Sequence, residues 1–265
     1  MKFGLVDNKK VEAIKGVKGI CRFCGSELIA RCGNVRINHW AHIKGSNCDP
    51  WWENETEWHR SWKNNYPDDW QEIPLPDERT GEKHIADILT KHDLVIEFQH
   101  SHIDPQERTS RETFYRNMIW VVDGTRLKRD YPRFLKGRHD LRRTDKQNHY
   151  IVDVPGECFP SDWLESTVPV IFDFLGLESI EDPNDLRNNL YCLFPQQNQR
   201  EAILAFLPRK LFINKTINGE WFNKQQEPQK ESTQPPTQNK IIKSRREPTH
   251  YYDPKKGRMV KKWRF

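Results

Sequence analysis

No run of eighteen apolar residues occurs in the chain, and its opening, MKFGLVDNKKVEAIKG, has no long apolar core. Membrane-spanning helices and secretory leaders both need such stretches, so export and membrane contact are not expected and the cytoplasm is the expected location. Cysteine is scarce, with six in 265 residues, and in a long non-secreted chain that argues against a disulfide scaffold. No internal repeat is visible. What is present suffices for a core, since 35% of residues are hydrophobic and 11% aromatic.

The net charge of +5 hides an asymmetry. Residues 208–265 carry 15 Lys and Arg against 5 Asp and Glu, which leaves 28 against 33 for residues 1–207. This last stretch begins its low-complexity part with NKQQEPQKESTQPPTQNK, poor in aliphatics, and is expected to be a largely disordered basic tail. Its final KSRREPTHYYDPKKGRMVKKWRF interleaves cations with Tyr251, Tyr252 and Trp263, a pattern that grips phosphates and stacks bases, or that docks recombination or repair proteins.

Ahead of the tail, periodicity predicts a helix over residues 50–65, with Trp51, Trp58 and Trp62 facing inward and Pro67 ending the pattern. QEIPLP reads as a short extended piece, and residues 83–90 and 93–99 read as two strands of a hairpin around Lys91-His92. Asp104, Pro105 and Glu107 carry the cap, first-turn and capping-box signals of a following helix, and MIWVVDG is a strand that closes on Gly124. Further strands are expected at HYIVDVP and VPVIFDFLG, with a helix near QQNQREAILAFL. The expected division is 1–48, a Cys/His module; 49–207, the core and its extension; and 208–265, the tail.

Two constellations carry chemistry. In the hairpin Asp87 and Glu97 fall opposite or one position apart, so two carboxylates sit inside apolar strands, where each is costly unless neutralised. Oxygen-only ligation is what Mg2+ (or Mn2+) prefers. Glu55, four residues before His59 and eight before Lys63, shares a helix face with them in this reading and is a candidate third acid. Gln99 lies on the strand face of Glu97 and can orient a water or a phosphate oxygen without carrying charge. The second constellation is Cys21-x-x-Cys24 followed by His39-x-x-His42, four nitrogen and sulfur ligands for a structural Zn2+, with Cys48 as an alternative fourth ligand. Cys158 and Cys192 stand alone among apolar residues and read as small buried hydrophobes.

The set HWAH at 39–42, Glu55-Thr56-x-x-His59, Lys63, Asp87, Glu97-Phe98-Gln99, Ser101 and Arg111-x-x-x-Tyr115 resembles the competence protein CoiA-like family over roughly residues 19–124. That family is similar to the PD-(D/E)xK nuclease superfamily. The resemblance implies an α/β fold, a restriction-endonuclease-like mixed sheet flanked by helices, that cuts DNA with Mg2+ during DNA uptake, recombination, repair or defence. It makes Asp87 and Glu97 metal-binding acids and Glu55 a helix-borne acid, and it puts Gln99 where Lys is usual. That departure takes away a cation, which His59, Lys63 or Arg111 would have to supply. His84 stands where a basic Arg is expected. Arg111 and Tyr115, at i and i+4, are the candidate DNA contacts, the alternative being an Arg stem laid over a core Tyr. The other reading of the departure at Gln99 is a non-cutting single-stranded DNA-binding protein on the same fold.

Overall fold

The computed structural model describes residues 1–34, 36–43, 48–51, 55–77, 81–195, 201–221, 250–253 and 258–261. The chain divides into two units, Met1–Asn223 and Lys224–Phe265. In the first unit five short strands, β1 (Phe3–Val6), β2 (Lys9–Glu12), β3 (Lys18–Ile20), β4 (Glu27–Arg31) and β5 (His39–His42), form an antiparallel sheet in the order β2-β1-β3-β4-β5. Asp7 and Asn8, at φ 47° and 61°, make the tight turn between β1 and β2, a conformation these two residue types tolerate. Trp40 and Leu28 fill its small core, and the Trp40 indole donates to Val11 O at 3.0 Å.

Beyond it lies a nine-stranded mixed sheet. Its elements, in chain order, are α1 (Glu57–Lys63), β6 (Gln71–Pro76), β7 (Lys83–Leu89), β8 (Val95–Gln99), α2 (Pro105–Tyr115), β9 (Met118–Asp123), α3 (Asp130–Gly137), β10 (Arg142–Arg143), β11 (His149–Val152), α4 (Pro155–Cys158), β12 (Val170–Asp173), β13 (Asn189–Leu193), β14 (Ala202–Pro208) and α5 (Arg209–Asn218). The order is β10-β11-β14-β13-β12-β9-β8-β7-β6, with β8, β9 and β12 mutually parallel and the other pairs antiparallel. A parallel pair needs a crossover, and α2, capped by Asp104 and opened by Pro105, supplies the one between β8 and β9. β9 shows why the sheet is clothed on both faces. Met118, Trp120 and Val122 join Tyr115 of α2 and Phe134 of α3 in one cluster, while Ile119 and Val121 join Trp58 and Trp62 of α1 and Phe212 of α5 in another.

Several expectations need correction. The helix expected over 50–65 begins only at Glu57, because the Thr56 hydroxyl caps it by accepting from His59 N at 3.2 Å. Trp58 and Trp62 are buried as expected, whereas Trp51 precedes the helix, half-buried. The helix expected near QQNQREAILAFL is instead strand β14 between β13 and β11. A short apolar run packed on both faces has no periodicity that separates strand from helix. The tail expected from residue 208 begins with α5, closed by Gly219 at φ 76°, so the first unit runs on to Asn223. Within the second unit, His250–Asp253 (β15) pairs with Arg258–Lys261 (β16), and the disorder expected of 222–249 falls outside the described residues. Among the described residues no helix is long and apolar enough to cross a membrane.

Candidate active site and metal centre

The pairing of β6, β7 and β8 sets out a row of acids. The β7–β8 register runs Leu89↔Val95 and Ile88↔Ile96, and one step further brings Asp87 against Glu97. On the other side Gln71↔Ile88 and Ile73↔Ala86 bracket Glu72 against Asp87. At this row the ladder gives way to carboxylates. Asp87 N donates to Glu97 Oε1 and Phe98 N to Asp87 Oδ2, both at 3.0 Å. Glu72 adopts φ 51° and accepts from Lys2 N at 2.6 Å and Phe3 N at 2.9 Å, tying β1 of the first sheet to the second.

Cations reach this row from both helices. Lys63, near the end of α1, stands 2.9 Å from Asp87 Oδ1, 3.2 Å from Glu72 Oε1 and 3.9 Å from Glu55 Oε1. Arg111 of α2 donates to Glu97 Oε2 at 3.2 Å, to Trp51 O at 2.7 Å and to Glu107. Arg60 grips Glu55 through Nε at 2.8 Å and Nη2 at 3.0 Å. His59 Nε2 donates to Phe98 O at 2.5 Å, fastening α1 to β8. The helix itself is anchored from below, for the indoles of Trp58 and Trp62 each donate to Asp173 Oδ2 at 3.0 Å.

Electrostatics follow from burial and pairing. Burial opposes charge on Lys63, but Asp87, Glu55 and Glu72 outweigh it and hold the ammonium well above its usual pKa. Burial likewise opposes ionisation of Asp87, yet Lys63 and His59 keep it below the usual carboxylate range. Against burial, Lys63 and Arg60 bring Glu55 down to about 2. Glu97 differs: burial and then the neighbouring Asp87 charge push it up to about 8 despite Arg111. Burial lowers the His59 imidazole, against the opposing pull of Asp87. These groups enclose a cavity of about 60 Å³, room for a few waters, whose walls include five carboxylates (Asp49, Glu55, Glu72, Asp87, Glu97) and, among the described residues, three cations: Lys63, Arg111 and the α-ammonium of Met1, which acts on Glu55 and Glu72.

The structure thus gathers Glu55, His59, Lys63, Asp87 and Glu97 around one cavity, and adds Glu72 and Asp49, which no sequence motif marks. Glu55 lies just before α1, not on it, and with Asp87 and Glu97 it does not close on a single point, because each acid is drawn to its own cation. Gln99 does not line the cavity; its amide lies 3.3 Å from both Ser101 O and Ser101 Oγ. Positive charge beside Asp87 comes from Lys63. The expected DNA contacts Arg111 and Tyr115 are both buried, the first held by Glu97 and Glu107 and the second packed in the core. His84 is buried, stacked on Trp51 with ring centroids 3.1 Å apart.

The thiol cluster occupies the first sheet. Cys21 follows β3, Gly25 at φ 73° closes the turn by donating to Cys21 O at 3.0 Å, and Cys24 sits within it. Ligand atoms of Cys21, Cys24, His42 and Cys48 all lie within 4.8 Å of one another, the one such group among the described residues. Cys21 Sγ is 3.9 Å from Cys48 Sγ, and Cys24 Sγ is 3.4 Å from His42 Nε2. The hydrogen bond from Cys48 pulls the Cys21 thiol down to about 4 against its burial. His39, expected as a ligand, is excluded: three residues from His42 on a strand, it faces the opposite way, with Nδ1 2.9 Å from Ile37 O. Cys48 takes its place. Three sulfurs and one nitrogen are the donor set of a tetrahedral Zn2+ site. The residue after Cys48 reaches the other site. Asp49 accepts from Ile85 N at 2.6 Å, two residues before Asp87, and lies 2.8 Å from His84 Nδ1.

A sulfur-and-nitrogen cluster able to hold a metal, on a small sheet, precedes a mixed α/β sheet with opposed acids at its cavity. Two family models match the chain in that order: competence protein CoiA, N-terminal domain, over residues 5–50, and competence protein CoiA, nuclease-like domain, over residues 81–150. Together they support the competence protein CoiA-like family for this chain. No curated protein matches the chain, and no solved structure does.

Proposed function

We propose that the chain is a metal-dependent nuclease that hydrolyses phosphodiester bonds in DNA, with a restriction-endonuclease-like core of PD-(D/E)xK type and a structural Zn2+ on Cys21, Cys24, His42 and Cys48. The observation that carries this is the cavity wall, where five carboxylates gather, with Asp87 and Glu97 side by side and Glu97 raised to about 8. Paired carboxylates that hold a proton on Glu97 fit a divalent cation with oxygen ligands, Mg2+ or Mn2+, which would displace that proton. Held by Asp87 and Glu97, that ion would polarise a scissile phosphate and lower the pKa of a bound water. Lys63, 2.9 Å from Asp87, places a permanent positive charge where the phosphate gains negative charge, the role usual for a Lys at position 99. Arg111 fixes the orientation of Glu97. His59, with its Nε2 proton committed to Phe98 O, is a positioning residue that sets α1 against β8.

A second reading, a non-cutting single-stranded DNA-binding protein, draws on the neutralisation of Asp87 and Glu97 by Lys63 and Arg111 already in place. A gel assay of the zinc-loaded full chain on labelled single-stranded, duplex and flapped DNA separates the two. With Mg2+ or Mn2+ the wild type cuts; Asp87→Asn lowers the rate about a thousandfold and omission of the metal abolishes it. Undiminished cutting by Asp87→Asn overturns the assignment. Absence of cutting, with binding that persists in EDTA, selects the second reading.

A further inference from the structure

A larger cleft, about 400 Å³, opens at the carboxyl ends of β8 and β9, where the chain leaves two parallel neighbours of the sheet. Ligands of open α/β sheets collect at such ends. Its size suits one nucleotide unit. The cleft lies beside the candidate active site. His59 lines the smaller cavity, His100 lines the cleft, and their ring centroids are 6.5 Å apart.

Three arginines, Arg126, Arg129 and Arg133, overlook the cleft from α3 and the turn before it. Gly124 permits that turn, since a Cβ there would fall 2.4 Å from the Phe174 ring. Arg126 and Arg129 are exposed, and their guanidinium groups make no hydrogen bond or ion pair among the described residues. On the opposite side His100 Nδ1 is 2.7 Å from Asp123 Oδ2 and His102 Nδ1 is 3.2 Å from Asp162 Oδ2, so carboxylates hold both imidazoles in place. One polar group stands out. Asp130 is buried, and among the described residues its Oδ1 receives no hydrogen bond; the Arg133 guanidinium lies 3.8 Å away. A buried acceptor left without a donor requires an explanation, and a ligand amino or hydroxyl group provides one. Anion-binding cations and an acceptor awaiting a donor, in a cleft of nucleotide size, are the complement of a phosphate joined to a base or sugar.

We propose that this cleft holds a nucleotide of a nucleic-acid strand, its phosphate on Arg126 and Arg129 and a base amino or sugar hydroxyl group on Asp130, beside the cavity where the strand is cut. The cutting position rests on the nuclease reading; the binding does not.

The test uses the full chain carrying Asp87→Asn, with and without Arg126→Ala/Arg129→Ala, in EDTA with zinc retained. Fluorescence anisotropy with a labelled dT12 strand is expected to show at least a tenfold weaker Kd for the added double substitution at 150 mM salt, and a salt slope smaller by about 1.4, for two phosphate contacts on a single strand. In parallel, photocrosslinking of a 5-iodouracil dT12 locates the strand independently of the basic tail, with adducts expected in peptides spanning 100–103, 123–133 or 160–163. Unchanged Kd and slope, or adducts confined to other peptides, overturn the proposal. So does a cleft that takes dTMP but not dT12, as a free nucleotide site. Nuclease activity in the parent chain with any of these results leaves the nuclease reading standing while the cleft assignment falls; the expected binding without any cutting does the reverse.

Discussion

The two sheets of the first unit treat their ligand-bearing residues in opposite ways. In the small sheet four soft donors converge within 4.8 Å, with two thiols 3.9 Å apart. In the large one hard carboxylates spread along a row, each drawn to a separate cation: Asp87 to Lys63, Glu97 to Arg111 and Glu55 to Arg60. The first arrangement is closed and suits a metal that holds structure. The second leaves a cavity lined by oxygen donors, which suits an ion that shares its coordination with water and substrate.

The largest effect should separate the two centres. Zinc removal, or Cys24→Ser, is expected to melt the small sheet, because binding energy of about 10–16 kcal/mol at such sites is folding energy. Calorimetry should show an early transition and mass spectrometry one zinc per chain in the wild type. Persistence of the native melting curve in the metal-free protein would mean that the Trp40 core holds the sheet by itself. The next effect tests whether the second centre is a site of balanced charge. Lys63→Met leaves Asp87, Glu72 and Glu55 facing one another, and should cost about 3–5 kcal/mol in urea unfolding, as loss of one partner of a buried pair does. Added Mn2+ should recover part of that loss, and failure to recover any would speak against a cation site there.

A further effect concerns pH. Glu97 is raised to about 8, so the folded chain binds a proton there that the unfolded chain releases near pH 4.5. Between those values the folded state holds more protons, and stability of the metal-free protein therefore falls as pH rises, until the group is ionised in both states above about 8. Divalent-metal affinity should move the other way, rising by up to about tenfold per pH unit below 8, because the ligand must lose its proton. Glu97→Gln should flatten both profiles; an unchanged slope in that variant would place the proton elsewhere.

How much of this was legible in the sequence depends on distance along the chain. The hairpin that opposes Asp87 and Glu97 could be read, since alternation and a short turn are local signals, and α2 announced itself through Asp104 and Pro105. Glu72 could not. It becomes a neighbour of Asp87 through the β6–β7 register, and its φ of 51° belongs to no residue pattern. His39 misled because H-x-x-H spacing brings side chains together on a helix and divides them on a strand. β14 misled because an apolar run between two strands has lost the periodicity that would identify it. The cation beside Asp87 was foreseen only as one of three candidates, for nothing local to Gln99 says that a lysine from a preceding helix will arrive there.

At Asp87 and Phe98 the partner of a backbone N–H is a side-chain carboxylate instead of a peptide carbonyl. Any change in the charge carried by those acids therefore alters the hydrogen bond of a main-chain amide within the sheet. The 15N and 1H resonances of these two positions are built-in reporters of the cavity, able to register the arrival of a proton or an ion with no substrate present and no bond broken.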